Sequence, residues 1–524
     1  MSRIPRLSGF LLREHPGFKI LSIFLLALVY LYLVLFIPPW IPRDVGFGDD
    51  RLFLGEAARI VHGQVIYRDF FDLNFPGLPI LYASLIRIFG PRGWIPNASL
   101  MCLGIGFLWS SIVISRRLVN GATAFLPGLL FLCIPFHNYL DATHHWYSTL
   151  LITVAAVVLI ERFSYARLAL AGGLCGLAAI FSQNQGPAAI FGLAVFVWLQ
   201  ARYDGKSERK RLWFEGGLLL TFATVLGACV VYFVLEAGPG RFFNSTVLFP
   251  FKYWAATNDP NSWSDYAVMF IIDQLSNAHF LILRPVIITV LIPWIYIPAI
   301  VSYKRHSPGS TWSQWRIILL LSVVGLSLFA SIVNAADITR LGTASLPGFI
   351  ILVWLADRGR WGRKAMPLVW AFTIVMMLRD ISAAQKSRMY YVETPSGGIA
   401  LSSPNREPYF RWLGRHTSPG QYVFDASTSD VYFLFGLENP TEVWWLTSCD
   451  FTRPEQVSSV LRSLEDHRVP LILWNSGIDT MVDECSPGTD HIQPIRDYLH
   501  RHYRKIETFQ ADAIWERISD SVSR

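Results

Sequence analysis

Apolar residues run along this chain in long blocks separated by short polar stretches. A bilayer core is crossed by about 20 mostly apolar residues in a helix, and shorter spans are tolerated. Such blocks fall near 18–37, 97–115, 122–136, 146–161, 167–182, 187–200, 213–235, 280–303, 316–333, 341–357 and 365–380. They predict about eleven transmembrane helices. Pro and Gly interrupt several blocks, so the count is good to one or two. Between the first two blocks the pattern changes. From Asp50 onward, Phe53, Ala57, Ile60 and Val61 recur at helical spacing, with Arg51, Glu56, Arg59 and His62 on the other faces and Gly63 as a stop. After the polar YRDFFDLN, Pro76 and Gly77 open a second helix with Leu78, Leu81, Tyr82, Leu85, Ile86 and Phe89 on one stripe. Both segments are too polar to span lipid and read as amphipathic helices lying in the interface, apolar face down.

Past residue 382 the apolar runs shorten to strand length and charges return. GQYVFDAS, VYFLFGL, VPLILWN and AIWERI read as strands. PEQVSSVLRSLEDHR (454–468) reads as a helix with Val457, Val460, Leu461 and Leu464 on one face, and 491–505 as a second. Alternating strands and helices argue for a compact α/β domain. The expected organisation is a polytopic, all-α membrane domain over 1–382, with a structured first outer loop at 38–96. A linker at 383–408 and a small extracytoplasmic α/β domain over 409–524 follow.

Composition agrees with a lipid-embedded class. Hydrophobic residues make up 52% and charged residues 16%, and the mean hydropathy is +0.37. Lys and Arg cluster at Arg3/Arg6/Arg13/Lys19, Arg116/Arg117, Arg162/Arg167, Lys206–Arg211, Lys304/Arg305 and Arg358–Lys364, all on one side of the predicted spans. The opposite short loops 137–145 and 183–186 have none. By the positive-inside rule the N-terminus is cytoplasmic, and 38–96, 236–279 and the tail are extracytoplasmic. The net charge of +7 therefore reports topology, not nucleic-acid binding. Ile-Pro-Pro-Trp follows the first span where a cleavage site would need small residues, so that span is expected to be retained. Four cysteines sit in apolar spans. Cys449 and Cys485 lie in the tail and are expected to pair if it faces an oxidising compartment.

No Walker A, GxGxxG, GxSxG or HExxH motif is present, which argues against an ATP-driven or nicotinamide enzyme. The remaining chemistry lies in the outer loops. Asp49 and Asp50 stand at the start of the first amphipathic helix. A helix cap accounts for one of them, whereas a general base accounts for a second carboxylate held beside a nucleophile. Asp141, His144 and His145 share the loop DATHHW, either as an interfacial loop anchored by Trp146 or as substrate ligands. The adjacent histidines alone do not make a metal site. Arg340 is the one basic residue of its outer loop. It either pairs with Asp337 or holds a phosphate through its bidentate fork. Gln183, Asn184 and Gln185, between two apolar spans, are costly in lipid and point to a polar cavity. Lys252, with Tyr253 and Trp254, is placed to cover such a site.

Asp49-Asp50, Ala57, Gly63, Tyr67-Arg68-Asp69-Phe70, Pro76 and Phe89-Gly90 resemble the first outer loop of the GT-C glycosyltransferases. The pattern is nearest the protein mannosyltransferase-like and lipid A aminoarabinose transferase-like branches. The usual Asp-Glu is Asp49-Asp50 here, which leaves Asp49 as the match to the catalytic base. The loop ending His144-His145-Trp146 is similar to the family's second loop. The resemblance implies an inverting transfer of a hexosyl or pentosyl unit from a polyprenyl-phosphate donor to an acceptor hydroxyl on a lipid, glycan or protein, at the outer face of the plasma (inner) membrane. Asp49 would be the base and Arg340 the candidate for the lipid phosphate, with Asp141, His144, His145, Tyr67, Arg68, Asp69 and Lys252 as further substrate contacts. The family has metal-dependent and metal-independent members, so a divalent cation stays open. The competing readings are a lipid or glycan flippase, for which no pseudo-repeat is evident, and a non-catalytic envelope protein.

Overall fold

The computed structural model describes residues 16–44, 48–161, 164–254, 287, 291–304, 312–332, 338–426, 430–447, 451–479 and 488–518. Among the described residues, each apolar block holds a helix. In chain order these are α1 (Pro16–Leu35), α4 (Ile95–Ser115), α5 (Leu126–Phe131, continued by a π-helical turn Leu132–Phe136), α6 (His144–Leu159), α7 (Tyr165–Phe181), α8 (Gln185–Tyr203), α9 (Glu208–Ala237), α11 (Tyr296–Lys304), α12 (Trp312–Ser331), α14 (Leu346–Arg358) and α15 (Arg360–Lys386). Among the described residues four helices are long and apolar enough by themselves to cross a membrane: Ile95–Ser115, Glu208–Ala237, Gln314–Ser331 and Arg360–Lys386. Lys19–Leu35, Gly121–Phe136, His144–Leu159, Tyr165–Phe181 and Ile292–Val301 are shorter apolar helices.

Helices in lipid gain little from hydrophobic burial against one another, so close backbone approach across small residues matters more. α7 and α9 show how. A Cβ on Gly172 would lie 2.2 Å from the Leu218 carbonyl oxygen and 2.3 Å from Thr221 Oγ1. One turn along, a Cβ on Gly176 would lie 2.8 Å from the Phe222 carbonyl oxygen. Gly172→Ala is expected to push the two helices apart and to cost about 1–3 kcal/mol by overpacking. A lowered thermal midpoint of the detergent-solubilised protein checks this, with Gly173→Ala as control, since a Cβ there meets nothing nearer than 3.6 Å.

The two amphipathic helices between the first two apolar blocks form where the periodicity put them, as α2 (Asp49–Val61) and α3 (Gly77–Phe89). α2 does not lie with its charged face in water. Arg51, Glu56 and Arg59 are buried together with Phe53, Leu54 and Ala57. The reason is the tail, which covers that side: Arg59 donates to the Thr441 carbonyl at 2.9 Å, and the Phe71 amide donates to the Glu442 carbonyl at 2.8 Å. Asp44 explains the burial of Arg51, since it is ion-paired to both Arg51 and Arg406, the latter at 3.0 Å.

The expected linker, 383–408, holds the last turn of α15 and a β-hairpin, β3 (Tyr390–Thr394) and β4 (Gly397–Leu401). β4 pairs in parallel with β2 (Ile41–Asp44), which pairs with β1 (Phe36–Ile37) to give a four-stranded sheet in the order β1-β2-β4-β3. The chain leaving the last membrane helix is thus tied to the chain leaving the first. A second sheet, in the order β5-β6-β8-β7, is built from Val423–Asp425, Leu471–Asn475, Asp512–Arg517 and Tyr503–Phe509. Helices Pro454–Asp466 and Gln493–His502 pack beside it around Val457, Val460, Leu464, Ile495 and Leu499. One expected strand is wrong: VYFLFGL forms the helix Asp430–Phe435. Val431, Tyr432, Phe433, Leu434 and Phe435 are all buried, so the run is apolar on every side and carries no period to distinguish strand from helix. Cys449 and Cys485 lie outside the described residues.

Candidate active site

The site begins at the first turn of α2. An α-helix leaves its first amide N–H groups without partners, and Gly48, at the N-cap, has no side chain to supply one. Asp141, from the loop before α6, does so instead. Its carboxylate accepts the Asp49 amide at 2.8 Å and the Asp50 amide at 3.1 Å. Gly48 is required by this arrangement, because a Cβ there would stand 2.5 Å from the Asp141 carboxyl. Asp141 is buried, and burial, followed by the nearby Asp50 and Asp49 charges, pushes its carboxyl well above the usual range against the pull of the two amide bonds. Gly48→Ala is expected to push Asp141 off both amides. It should destabilise the protein by about 1 kcal/mol, the usual worth of a helix cap, and lower activity with it. Thermal unfolding and turnover measured on the same preparation check this.

Successive helical residues point about 100° apart, and the two acids open on different spaces. Asp50 lines a cavity of ≈ 790 Å³ with Arg43, Asp44, Arg51, Asn97, Asn138 and Asp141. Asp49 lines a second cavity of ≈ 1120 Å³, shared with Asn74, His144, His145, Ser182, Gln183, Asn184, Gln185, Thr246 and Arg340. The Asp49 carboxylate is steadied by Thr143, whose hydroxyl donates to Oδ2 at 3.3 Å. His144 lies within electrostatic reach of both Asp49 and Arg340. Its ring meets Phe53 edge-on at 5.5 Å between centroids.

The amide trio between α7 and α8 forms one wall. Gln183 holds the first outer loop in place, donating to the Leu73 carbonyl at 2.9 Å and accepting the Phe75 amide at 3.2 Å. Gln185 is buried, with Thr149 and Thr343 as its partners. Asn184 is exposed to the cavity. Arg340 comes from the short helix Ile338–Thr343, and Asp337, its expected partner, lies outside the described residues. Pro250, Phe251, Ser331, Ile332 and, from the tail, Trp445 also line the cavity.

The structure therefore brings Asp49, His144, His145 and Arg340 to one space and leaves the other candidates elsewhere. Asp141 is a cap, and Asp50 faces the neighbouring cavity. Tyr67 is fully buried, with a positive φ of 68°. Its hydroxyl donates to the Asn74 carbonyl at 2.5 Å, so it braces the cavity wall from behind. Arg68 turns to the surface and pairs with Asp69 at 2.9 Å and Glu236 at 2.5 Å. Asp69 also accepts the Val65 amide at 2.7 Å, which makes Tyr67-Arg68-Asp69 a folding turn. Lys252 is exposed over the Tyr253 ring at 5.1 Å, one residue from the cavity lining. Trp445, Asn74 and Thr246 were not singled out from the sequence; for Trp445 no local pattern marks it, because the tail's docking brings it there.

A divalent cation finds no ready cage. No group of three or more His, Cys, Asp or Glu side chains suited to a metal converges among the described residues. Asp141 has each carboxylate oxygen engaged by a backbone amide.

The helical body and the small sheet domain together match the fold of solved structures. ArnT from Cupriavidus metallidurans bound to undecaprenyl phosphate shares it with a TM-score of 0.60 at 10% identity, over 97% of this chain and 99% of that one. Its apo state gives 0.63 at 12% identity, over 96% and 98%. The Archaeoglobus fulgidus oligosaccharyltransferase tethered to an acceptor peptide gives 0.50 at 12% identity, over 89% and 70%. At these identities the likeness is one of fold. No protein-family model matches the chain, and no curated protein sequence does.

Proposed function

We propose that this protein is an integral membrane glycosyltransferase that moves a sugar from a polyprenyl-phosphate donor to an acceptor hydroxyl. The carrying observation is that Asp49 and Arg340 line one cavity, whose lining also holds polar amides and the apolar Phe251 and Ile332. The fold, shared with a transferase solved with undecaprenyl phosphate, supports the same reading. In the reaction the acceptor oxygen attacks the anomeric carbon and gives its proton to Asp49. The bond from that carbon to the phosphate oxygen breaks, and polyprenyl phosphate leaves with the electron pair, held by Arg340. A single displacement inverts the anomeric centre. Asp49 needs a carboxylate aimed at the acceptor, and the Thr143 hydrogen bond steadies it. Arg340 needs a phosphate whose lipid tail can run out beside the apolar helices.

The eleven apolar helices would span the plasma membrane with the N-terminus cytoplasmic. The first outer loop and the tail would stand outside, as the charge pattern along the chain supports. The acceptor would be a lipid, glycan or protein and the sugar a hexose or pentose. The test is transfer by the purified full chain in proteoliposomes from a panel of polyprenyl-phosphate sugars to cell-envelope lipids, glycans and peptides. Sugar-dependent release of polyprenyl phosphate supports the proposal. Movement of the donor lipid across the bilayer, with no release from any donor, would favour the flippase reading instead.

A further inference from the structure

Glu56 sits on the buried side of α2 with no solvent exposure, and Asp72, in the turn before α3, is nearly as enclosed. Both carboxyls face one another beneath the tail. Asp72 Oδ1 accepts the Asn74 amide at 2.9 Å and the Asn74 side-chain N–H at 3.2 Å. That leaves Asp72 Oδ2 and both Glu56 oxygens buried with no donor among the described residues. The Trp444 indole is close enough to act on Glu56, yet its N–H closes no hydrogen bond of ordinary geometry. Two ionised carboxylates cannot satisfy each other, because neither has a proton to donate. Buried polar atoms are seldom left in that state.

The local charge count points the same way. The cation facing the two acids is Arg59, whose guanidinium lies 4.5 Å from the Phe70 ring centre and 5.2 Å from that of Trp444. Burial lowers Arg59 to about 10, so it remains charged at neutral pH. One guanidinium and two carboxyls are neutral only if one proton is retained. The other titratable groups around the cluster are Tyr67, Asp69, Tyr432 and Glu442. The tyrosines are neutral below their raised ranges, and the two acids act from its more open edge.

We propose that Glu56 and Asp72 share a single proton and serve as a positioning pair, seating the tail's Trp444–Trp445 against the Leu73–Asn74 wall of the cavity. The connections are direct. Asp72 fixes both the backbone and the side chain of Asn74, and Leu73 and Asn74 line the cavity that Asp49 faces. Trp445, which lines that cavity, follows Trp444 in the chain. Asp72, Trp444 and Trp445 also border a small void of ≈ 340 Å³ with Phe451 and Gln456. The pair stands apart from the transfer chemistry and holds whichever sugar is moved.

Its pH dependence has a defined sign. Burial, the larger cause, and the facing acid raise Glu56, and burial raises Asp72 to about 7. The folded state thus holds a proton that the unfolded chain releases near pH 4, so junction stability falls as pH rises from there until the folded pair gives that proton up. Within that window one retained proton changes the opening equilibrium roughly tenfold per pH unit.

The experiment uses the full chain in nanodiscs and needs no substrate. Infrared difference spectra across the titration should show the carbonyl stretch of a protonated, buried carboxylic acid at neutral pH, and Glu56→Gln and Asp72→Asn should each remove it. Hydrogen exchange at 71–74 and 443–445, corrected for intrinsic rates, should show protection falling with pH in the wild type. Glu56→Gln carries its own permanent donor, so it should keep that protection at every pH, whereas Glu56→Ala should lose it throughout. Absence of the wild-type band at neutral pH would overturn the proposal, as would its survival in whichever variant folds. An equal pH slope in Glu56→Gln would do the same. Transfer activity is a separate readout, so failure here and failure of the glycosyltransferase reading are distinguishable.

Discussion

Asp49→Asn is expected to abolish transfer while leaving the fold and donor binding intact. General-base catalysis contributes typically 10²–10⁴-fold, and the loss should fall in kcat within that range, roughly. Asparagine keeps the shape of the side chain and its bond with Thr143, but it cannot accept the acceptor's proton. Asp50→Asn provides the contrast. Asp50 faces the neighbouring cavity with Arg43, Asp44 and Arg51, and its backbone amide, not its side chain, holds Asp141. Its substitution should cost much less in turnover. Steady-state kinetics on both variants with one donor and one acceptor check the pair. Equal losses would mean that the division of the two acids between cavities has no chemical meaning.

Arg340→Ala is expected to weaken binding of the lipid phosphate. A hydrogen bond to a charged group contributes about 1.5–3 kcal/mol, which corresponds to about 10–150-fold in Kd. The effect should appear for undecaprenyl phosphate itself, without any sugar, and should be only partly restored by lysine, which lacks the planar fork. Titration of the reconstituted protein with undecaprenyl phosphate measures it. Unchanged affinity in Arg340→Ala would move the phosphate to another group. His144 and His145 would then be the remaining ring N–H donors of the described lining.

The membrane helices were legible because a lipid-embedded helix announces itself by length and hydropathy. α2 and α3 were legible from period alone. What α2 buries was not: Glu56 and Arg59 sit where a surface helix would place solvated charges, and the tail that covers them lies more than 350 residues further on. The same distance hid Trp445. Asp49 and Arg340 could be named because each breaks a local rule, one as an acid paired with another at a helix start, the other as a cation on the side where cations are rare. Asp141 could be noticed but its work could not, since capping a helix in place of Gly48 is a contact across 92 residues. Tyr67-Arg68-Asp69 misled for the opposite reason. A polar, aromatic turn looks like a ligand set until its hydrogen bonds are seen to close on the loop itself. Asp430–Phe435 misled because a run that is apolar throughout carries no period.

The central claim is that Asp49 and Arg340 act on the two ends of one reacting assembly in a single cavity. Release of polyprenyl phosphate from a polyprenyl-phosphate sugar, in the presence of acceptor, tests it most directly in wild type, Asp49→Asn and Arg340→Ala reconstituted side by side. The account predicts rapid release by the wild type and almost none by Asp49→Asn at any donor concentration. Arg340→Ala should release slowly and recover as donor is raised. Release at the wild-type rate by Asp49→Asn would contradict it.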